Sequence, residues 1–245
     1  MAHEVENMFS VRETPWHGLG HVIQNAPSTD EVLKLAGLDW TVSKRQLQLA
    51  GENVDQFAIV RDSDNSVLGF TGNRYQPLQN NEVLKFFEPF VDTGLVEFET
   101  AGSLKQGQKI WIMARLKSSE MDIVQGDAVR KYLMFSNGHD GATSASIGFT
   151  PVRIVCANTL AMALRNQSSK IMRVMHSKRV LENLDLLRET VNAIDASFEA
   201  TAEQYRILAK REINKGDLEK YVDLVFYNGK AAESDREKIA RESLN

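Results

Sequence analysis

Cysteine is nearly absent from this sequence: Cys156 is the single cysteine in 245 residues. One cysteine excludes an intrachain disulfide and a thiolate-rich zinc site, and it is typical of proteins kept in a reducing compartment. No apolar run approaches the about 18–20 residues of a membrane-spanning helix. The opening MAHEVENMFSVRE also lacks the apolar core of a signal peptide. We therefore expect a soluble cytoplasmic protein without membrane association.

Motifs for the common phosphate loops and for nucleophile elbows are missing, since GxxxxGKS/T, GxGxxG and GxSxG do not occur. His139 and Asp140 are adjacent, so on an extended segment they point to opposite sides, and their glycine-rich surroundings are typical of a turn. Cys156 stands in an apolar segment, which favours a buried, unreactive thiol. His17 and His21 have the spacing of a helical metal pair, but the glycines between them oppose a helix. We expect no catalytic residue, metal or cofactor, and an enzyme that uses His139 or Cys156 stays as a third hypothesis.

Acidic residues are missing from one window, residues 141–180, although the chain holds 33 of them. The window carries six cations and the chain has a net charge of −4, so −4 minus 6 leaves −10 on the remainder. Cations gathered against an acidic remainder are typical of a phosphate-binding face. The alternative is a basic face that pairs with acidic helices of this chain or of a neighbour. The predicted phosphate contacts are Arg153, Arg165, Lys170, Arg173, Lys178 and Arg179, and the predicted base contacts are Phe149 and His176.

Alternation of apolar and polar residues predicts two groups of strands. The first comprises WTVSKRQLQL, QFAIVRD and VLGFT, with Asp62–Ser66 as a hairpin turn. The second comprises LVEFETAG, KIWIMARLK, AVRKYLMFSN and TSASIGFT, the last two joined across GHDGA. Glu97 and Glu99 alternate along one of these strands and are interpreted as a solvated face. Trp16 beside His17 is either a stacking pair or an anchor for the N-terminal arm.

Helices are predicted where the apolar spacing becomes three and four. Ser28 and Glu31 have capping-box spacing before a short helix, a second helix is disturbed at Pro89, and CANTLAMALRNQ favours a third. Apolar spacing from Leu181 to Leu208 predicts a long helix. A further helix begins at the capping box of Ser234 and Glu237 and reaches residue 245 without a clear C-cap, which indicates a fragment or a frayed end. The predicted fold class is α+β, a mostly antiparallel sheet with packed helices followed by a long C-terminal helical region. The predicted domains are an α+β core at 1–177, with an N-terminal arm at 1–27, and a helical region at 178–245.

Three stretches resemble one known family: ETPWHGLG, SNGHDGATSASIGFTPVRIVCANTLAMALR, and MRVMHSKRV before the long helix. They resemble the phage/plasmid-like proteins of unassigned function found in prophages and conjugative plasmids, and the similarity covers nearly all of the chain. The resemblance implies a mobile genetic element in a bacterial cell, without an established activity. Members usually continue past this point, which implies a fragment. The order of elements is more weakly similar to phage single-strand annealing proteins of the Redβ and Rad-fifty-two type, an analogy at the level of fold.

These observations lead to two functional hypotheses. The first is a non-enzymatic protein of phage or plasmid origin that binds or anneals single-stranded DNA or RNA and acts as a homo-oligomer in recombination or replication. The alternative is a counter-defence or interaction protein, which binds a host protein through its acidic surface and long helix.

Overall fold

The structure of the protein, a computed structural model, describes residues 3–117, 121–124, 127–165, 170–182, 184, 216, 217 and 220. The chain divides into two compact units, Met1–Thr201 and Ala202–Asn245. The described residues of the second unit are helical, and all described strands belong to the first.

Twelve strands and three helices of at least seven residues are found among the described residues. The strands are β1 (Val5–Val11), β2 (His21–Ile23), β3 (Val42–Leu49), β4 (Glu52–Arg61), β5 (Val67–Thr71), β6 (Val96–Leu104), β7 (Lys109–Leu116), β8 (Met121–Val124), β9 (Asp127–Val129), β10 (Tyr132–Gly138), β11 (Ala145–Thr150) and β12 (Lys170–Val174). The helices are α1 (Thr29–Leu35), α2 (Asn80–Asp92) and α3 (Ala157–Arg165).

Seven strands form one large sheet in the order β12-β11-β10-β7-β6-β1-β2. Its neighbouring strands are antiparallel except for β1 and β2, which are parallel. Successive side chains point to opposite sides of a strand, so Ile110 and Ile112 of β7 pack into one hydrophobic cluster and Trp111 and Met113 into another. We call the side of Ile110 and Ile112 the α2 face and the side of Trp111 and Met113 the α3 face.

Helices cover both faces of this sheet. Val32 of α1 and Phe86 and Phe87 of α2 are fully buried in the cluster of the α2 face. Leu160 and Ala163 of α3 pack into the cluster of the α3 face. Because burying a large apolar side chain contributes about 1.5–3 kcal/mol, these contacts fix the helices against the sheet more firmly than local helix propensity does.

A second, three-stranded sheet in the order β3-β4-β5 has its own small cluster of Val42, Ile59 and Leu68. It meets the large sheet where β5 crosses the turn after β10. A Cβ atom on Gly69 would collide with the backbone of Asp140, so this close approach requires glycine. The short strands β8 and β9 pair with each other.

The predicted α+β fold class is wrong, because the described part of the chain is mostly β. The N-terminal residues show no alternation in sequence, yet they form β1, whose residues 8–11 are all buried. A strand covered on both faces is apolar throughout and loses the period of two. No long C-terminal helix occurs among the described residues, and most of the region 178–245 lies outside them. The proposed boundary between 177 and 178 stays a prediction.

Several local predictions are confirmed. Ser28 and Glu31 form both hydrogen bonds of the capping box, and Asp62–Ser66 joins β4 to β5. Pro89, however, does not end its helix, which continues to Asp92. The proline removes one backbone hydrogen bond of the helix, and the burial of Phe86, Phe87 and Phe90 in the cluster of the α2 face holds the last turns in place. None of the helices in the described residues is long and apolar enough to cross a membrane.

Candidate nucleic-acid interface

The edge strand β12 carries the middle of the acid-free window. Lys170 is the first residue of this strand, and Arg173 lies opposite Ser146 of the neighbouring strand β11. Both cations are exposed. Ile171 packs against the cluster of the α3 face, so the alternation of the strand puts Arg173 on that face as well. Arg165 is the exposed last residue of α3. Arg165 and Arg173 therefore belong to the same side of the large sheet.

Four cations of the window carry charges that the described residues do not neutralise. Arg165, Lys170, Arg173 and Lys178 are exposed and make no ion pair with any residue that the structure describes. Arg179 lies 3.9 Å from Glu182, and both side chains are largely exposed, at 81% and 75%. Such an exposed pair is weak, so Arg179 is also accessible to an anion.

Most of the described arginines outside the window are neutralised. Five of the six approach a carboxylate to within 3.2 Å. They are Arg12, Arg45, Arg61, Arg115 and Arg130. The exception before the window is Arg74, which is exposed and makes no ion pair within the described part of the chain. Before the window, the described arginines therefore serve mostly as structural partners of carboxylates, and the window differs from that pattern.

Arg153 is the one cation of the window that lies in the interior. Its side chain is 16% exposed, and its Nε donates to Oε1 of Glu99 at 2.9 Å. One terminal nitrogen also donates to Oγ of Ser10 at 2.8 Å and to the carbonyl oxygen of Val11 at 3.2 Å. Arg153 thus ties the segment before α3 to β1 and β6. A phosphate would have to displace these partners to reach its guanidinium group.

Arg153 lies in the interior because it pairs with a buried carboxylate of β6, that of Glu99. The interpretation of Glu97 and Glu99 as a solvated face is wrong for Glu99, whose side chain is 3% exposed. A β-bulge between Phe98 and Thr100 interrupts the alternation of the strand. Burial alone would raise the pKa of Glu97, but hydrogen bonds from Arg115 and Arg12 outweigh it and lower that pKa.

Phe149 lies in the core of the α2 face and is 2% exposed. The ammonium group of Lys131 lies 4.5 Å from the centre of its ring. Stacking on a nucleic-acid base would require the ring to leave this cluster. Its position follows from the pairing of β11, where Ala145, Ile147 and Phe149 point to the same covered face.

His176 lies beside a cleft of about 810 Å³ between β4 and β5 of the small sheet and the segment after β12. Its ring stacks on Tyr75, with 4.8 Å between ring centres and 26° between planes, and is 8% exposed. Burial lowers the pKa of His176 and raises that of Tyr75. The imidazole is therefore neutral at pH 7 and already has an aromatic partner. The cleft is lined by Asp55, Gln56, Thr71, Gly72, Asn73, Arg74, Tyr75, Met175, His176 and Ser177.

Cations from distant parts of the sequence meet around this cleft. Arg74 lines it, and the ammonium group of Lys44 donates to the carbonyl oxygens of Asn73 and Tyr75. Burial lowers the pKa of Lys44, the negative charge of Asp55 opposes this shift, and the like charge of Lys178 adds to it. Sequence reasoning missed Lys44 and Arg74, because both lie far from the acid-free window in the sequence. Only folding brings Lys44 near Lys178 and Arg74 into the cleft lining.

The other candidate groups do not form catalytic arrangements. His139 is buried against Trp40, its Nε2 lies 2.9 Å from Oδ1 of Asn80, and burial lowers its pKa to about 3. Asp140 instead accepts hydrogen bonds from the backbone N–H groups of Ala142 and Thr143 and from the hydroxyl group of Thr143, which confirms the predicted turn. Cys156 is buried, as expected. No group of three or more His, Cys, Asp or Glu residues suited to a metal occurs within the described ranges.

These features define, for the described part of the chain, a mostly β fold with an edge strand and a neighbouring cleft, both bordered by cations that make no ion pair with a described residue. The chain belongs to the family described as Domain of unknown function (DUF932), whose model matches residues 67–245. The matched range includes β5 to β12 and the whole acid-free window. No curated protein matches the chain, and no solved structure matches it.

Proposed function

We propose that this protein is a non-enzymatic, single-stranded nucleic-acid-binding protein of phage or plasmid origin. It acts as a homo-oligomer in recombination or replication, in the cytoplasm of a bacterial host. The observation that carries the proposal is a contrast among the described arginines. Arg165 and Arg173, like Lys170 and Lys178, are exposed and unpaired within the described residues, whereas five of the six described arginines outside the window are bound to carboxylates.

Unpaired cations favour binding to a polyanion for two reasons. An arginine that is already bound to a carboxylate must lose that partner before it can neutralise a phosphate, whereas an exposed one loses only water and counterions. The window also contributes no carboxylate that would repel a phosphate chain. Arg165 and Arg173 lie on the α3 face and Lys178 lies near the cleft, so the cations follow the β12 edge and suit an extended strand.

The cleft supports the same proposal. Arg74 lines it, and Lys178 lies close enough to Lys44 for its charge to act on that side chain. Asn73, Ser177 and Thr71 add neutral hydrogen-bonding groups, which are common contacts of phosphate and sugar oxygens. Among the described residues, Asp55 is the one acidic residue that lines the cleft, and it belongs to the part of the lining formed by β4.

Salt dependence of binding tests the proposal quantitatively. Five accessible cations, Arg165, Lys170, Arg173, Lys178 and Arg179, predict a slope of about −3.5 in log affinity against log salt for a single strand. Between about 50 and 200 mM salt, affinity for a fluorescent polythymidine of about 30 nucleotides should fall about 100-fold. Fluorescence anisotropy at several salt concentrations measures this slope.

A pair of double variants assigns the contacts. Arg165→Ala with Arg173→Ala removes two proposed phosphate contacts and should reduce the slope by about 1.4. Lys34→Ala with Lys117→Ala is the matched control, because it removes two exposed cations outside the window. We expect the control to bind as the unmodified chain does. Equal effects of both pairs, or no binding at about 50 mM salt, would contradict the proposal.

A further inference from the structure

Trp16 is a tryptophan whose side chain is largely in solvent. It is 68% exposed, whereas Trp111 is fully buried and Trp40 is half-buried. Exposing so large an apolar ring is unfavourable, and the ring does not anchor the N-terminal arm in the core. A large exposed aromatic side chain often marks a binding surface.

Neighbouring rings hold Trp16 in place. The ring of His3 meets it edge-on, with 4.5 Å between centres and an interplanar angle of 77°. The ring of His17 lies 5.5 Å away at 64°. Neither histidine ring is parallel to the indole, and Trp16 keeps most of its surface in solvent, which leaves room for a stacking partner. An aromatic side chain held in this way loses little conformational entropy when a planar ligand stacks on it.

His17 connects this group to the start of α3. Its Nδ1 accepts a hydrogen bond from the backbone N–H of Leu19 at 3.0 Å, so in the neutral ring the proton is on Nε2. That Nε2–H then donates to the carbonyl oxygen of Val155 at 2.9 Å. The backbone N–H of Ala157 donates to the carbonyl oxygen of His3 at 3.1 Å. Two independent bonds thus place the Trp16 group at the N-terminal end of α3.

The exposed side of α3 leads from Trp16 to the free cations. Asn158, Ala161, Met162 and Arg165 are exposed, at the spacing of one helical stripe. Nine residues at a rise of about 1.5 Å give a path of about 13 Å between the two ends of the helix. Arg165 lies at the C-terminal end of this path. Glu13 is an acid near its beginning, and it is bound to Arg130 and Arg153.

We propose that Trp16 stacks on an unpaired base of the nucleic acid that crosses the α3 face, so that the protein prefers single strands to duplexes. This inference rests on the proposed function and adds the group that recognises the bases. A duplex hides the faces of its bases, whereas a single strand exposes them to stacking. A cationic ligand is disfavoured, because the unpaired charges around the helix are positive and repel it.

Two strands of equal length test this inference on the full chain. One is a polythymidine, and the other has the same phosphates but abasic sites throughout. Replacing Trp16 with Ala should weaken binding to polythymidine about 5- to 100-fold and leave binding to the abasic strand unchanged. Trp16→Phe should retain most of the affinity. Phe70→Ala, which removes a 61% exposed aromatic ring from β5, is the matched control and should have no effect.

Tryptophan fluorescence of the unmodified protein gives a second measurement that needs no variant. Polythymidine should quench the emission of the solvent-exposed tryptophan, and the abasic strand should not. Equal losses of Trp16→Ala on both strands, or no loss on either, would overturn the stacking role while leaving the proposed function intact. If the unmodified protein binds neither strand at low salt, the proposed function fails and the inference fails with it.

Discussion

Replacing Arg153 distinguishes a structural role of this side chain from a role in binding the ligand. The perturbation is Arg153→Ala, which removes the guanidinium group from a Glu99 side chain that is 3% exposed. Removing one partner of a buried ion pair costs about 3–5 kcal/mol, because the other charge stays buried without compensation. Arg12 remains 3.7 Å from Oε2 of Glu99 and offsets part of that cost. We therefore expect a loss of about 3 kcal/mol in the free energy of unfolding, at the lower end of this range.

Urea denaturation followed by circular dichroism measures this loss. With a denaturant slope of about 3 kcal/mol per molar, the transition midpoint should fall by about 1 M. Arg173→Ala is the control, since an exposed arginine without an ion pair among the described residues should change stability by less than about 0.5 kcal/mol. The double variant Arg153→Met with Glu99→Leu should recover much of the stability, because it removes both charges from the interior.

The opposite result would refute the reasoning. If Arg153→Ala keeps the stability of the unmodified chain and selectively weakens binding to polythymidine, the guanidinium group is available to phosphate. Its role would then be the one that its position in the acid-free window predicts. A strongly destabilised variant that still binds, at a temperature where it is folded, supports the structural role.

Three further predictions follow from buried groups. Burial keeps the pKa of His139 near 3 in the folded state, whereas the unfolded chain titrates at about 6.5, so the unfolded state binds more protons below that pH. The free energy of unfolding should therefore fall as pH drops from 7 to 5, by up to about 1.4 kcal/mol per pH unit. His139→Gln should flatten this dependence when stability is measured by urea titration. An unchanged pH dependence in the variant would argue against a neutral, buried His139. Gly148→Ala places a Cβ against the backbone of Lys170, so hydrogen exchange in β12 should accelerate, and unaltered protection would contradict the close approach. The thiol of Cys156 is buried, so a disulfide reagent should label it only after unfolding, and rapid labelling of the native protein would show that it is accessible.

Much of the local structure could be predicted from the sequence, because it depends on interactions over a few residues. The capping box of Ser28 and Glu31 is a reciprocal pair three residues apart. The pairing of β10 with β11 follows from alternating apolar residues around a glycine-rich turn. The burial of Cys156 follows from its apolar neighbours. In each case the pattern and its physical cause lie in the same short stretch.

The fold class was mispredicted where burial on two sides removed the pattern. Residues 8–11 of β1 are covered on both faces, so they show no alternation, and the sequence predicts an arm there. In β6 the alternating carboxylates predict a solvated face, but Arg153 covers Glu99 on that side of the strand. Alternation of apolar and polar residues identifies a strand that has one buried face and one solvated face. It gives a wrong prediction where both faces are covered, or where the covering changes along the strand.

The sequence by itself determined where the charges lie along the chain and which residues can neutralise a phosphate. The tertiary structure alone decided which of those charges are already used. Arg153 and Arg173 are the same residue type and both belong to the acid-free window. The fold nevertheless places Arg153 beside Glu99 and leaves Arg173 on an edge strand. The physical reason is that ion pairing depends on separation in space, and Arg153 meets a carboxylate 54 residues away in the sequence.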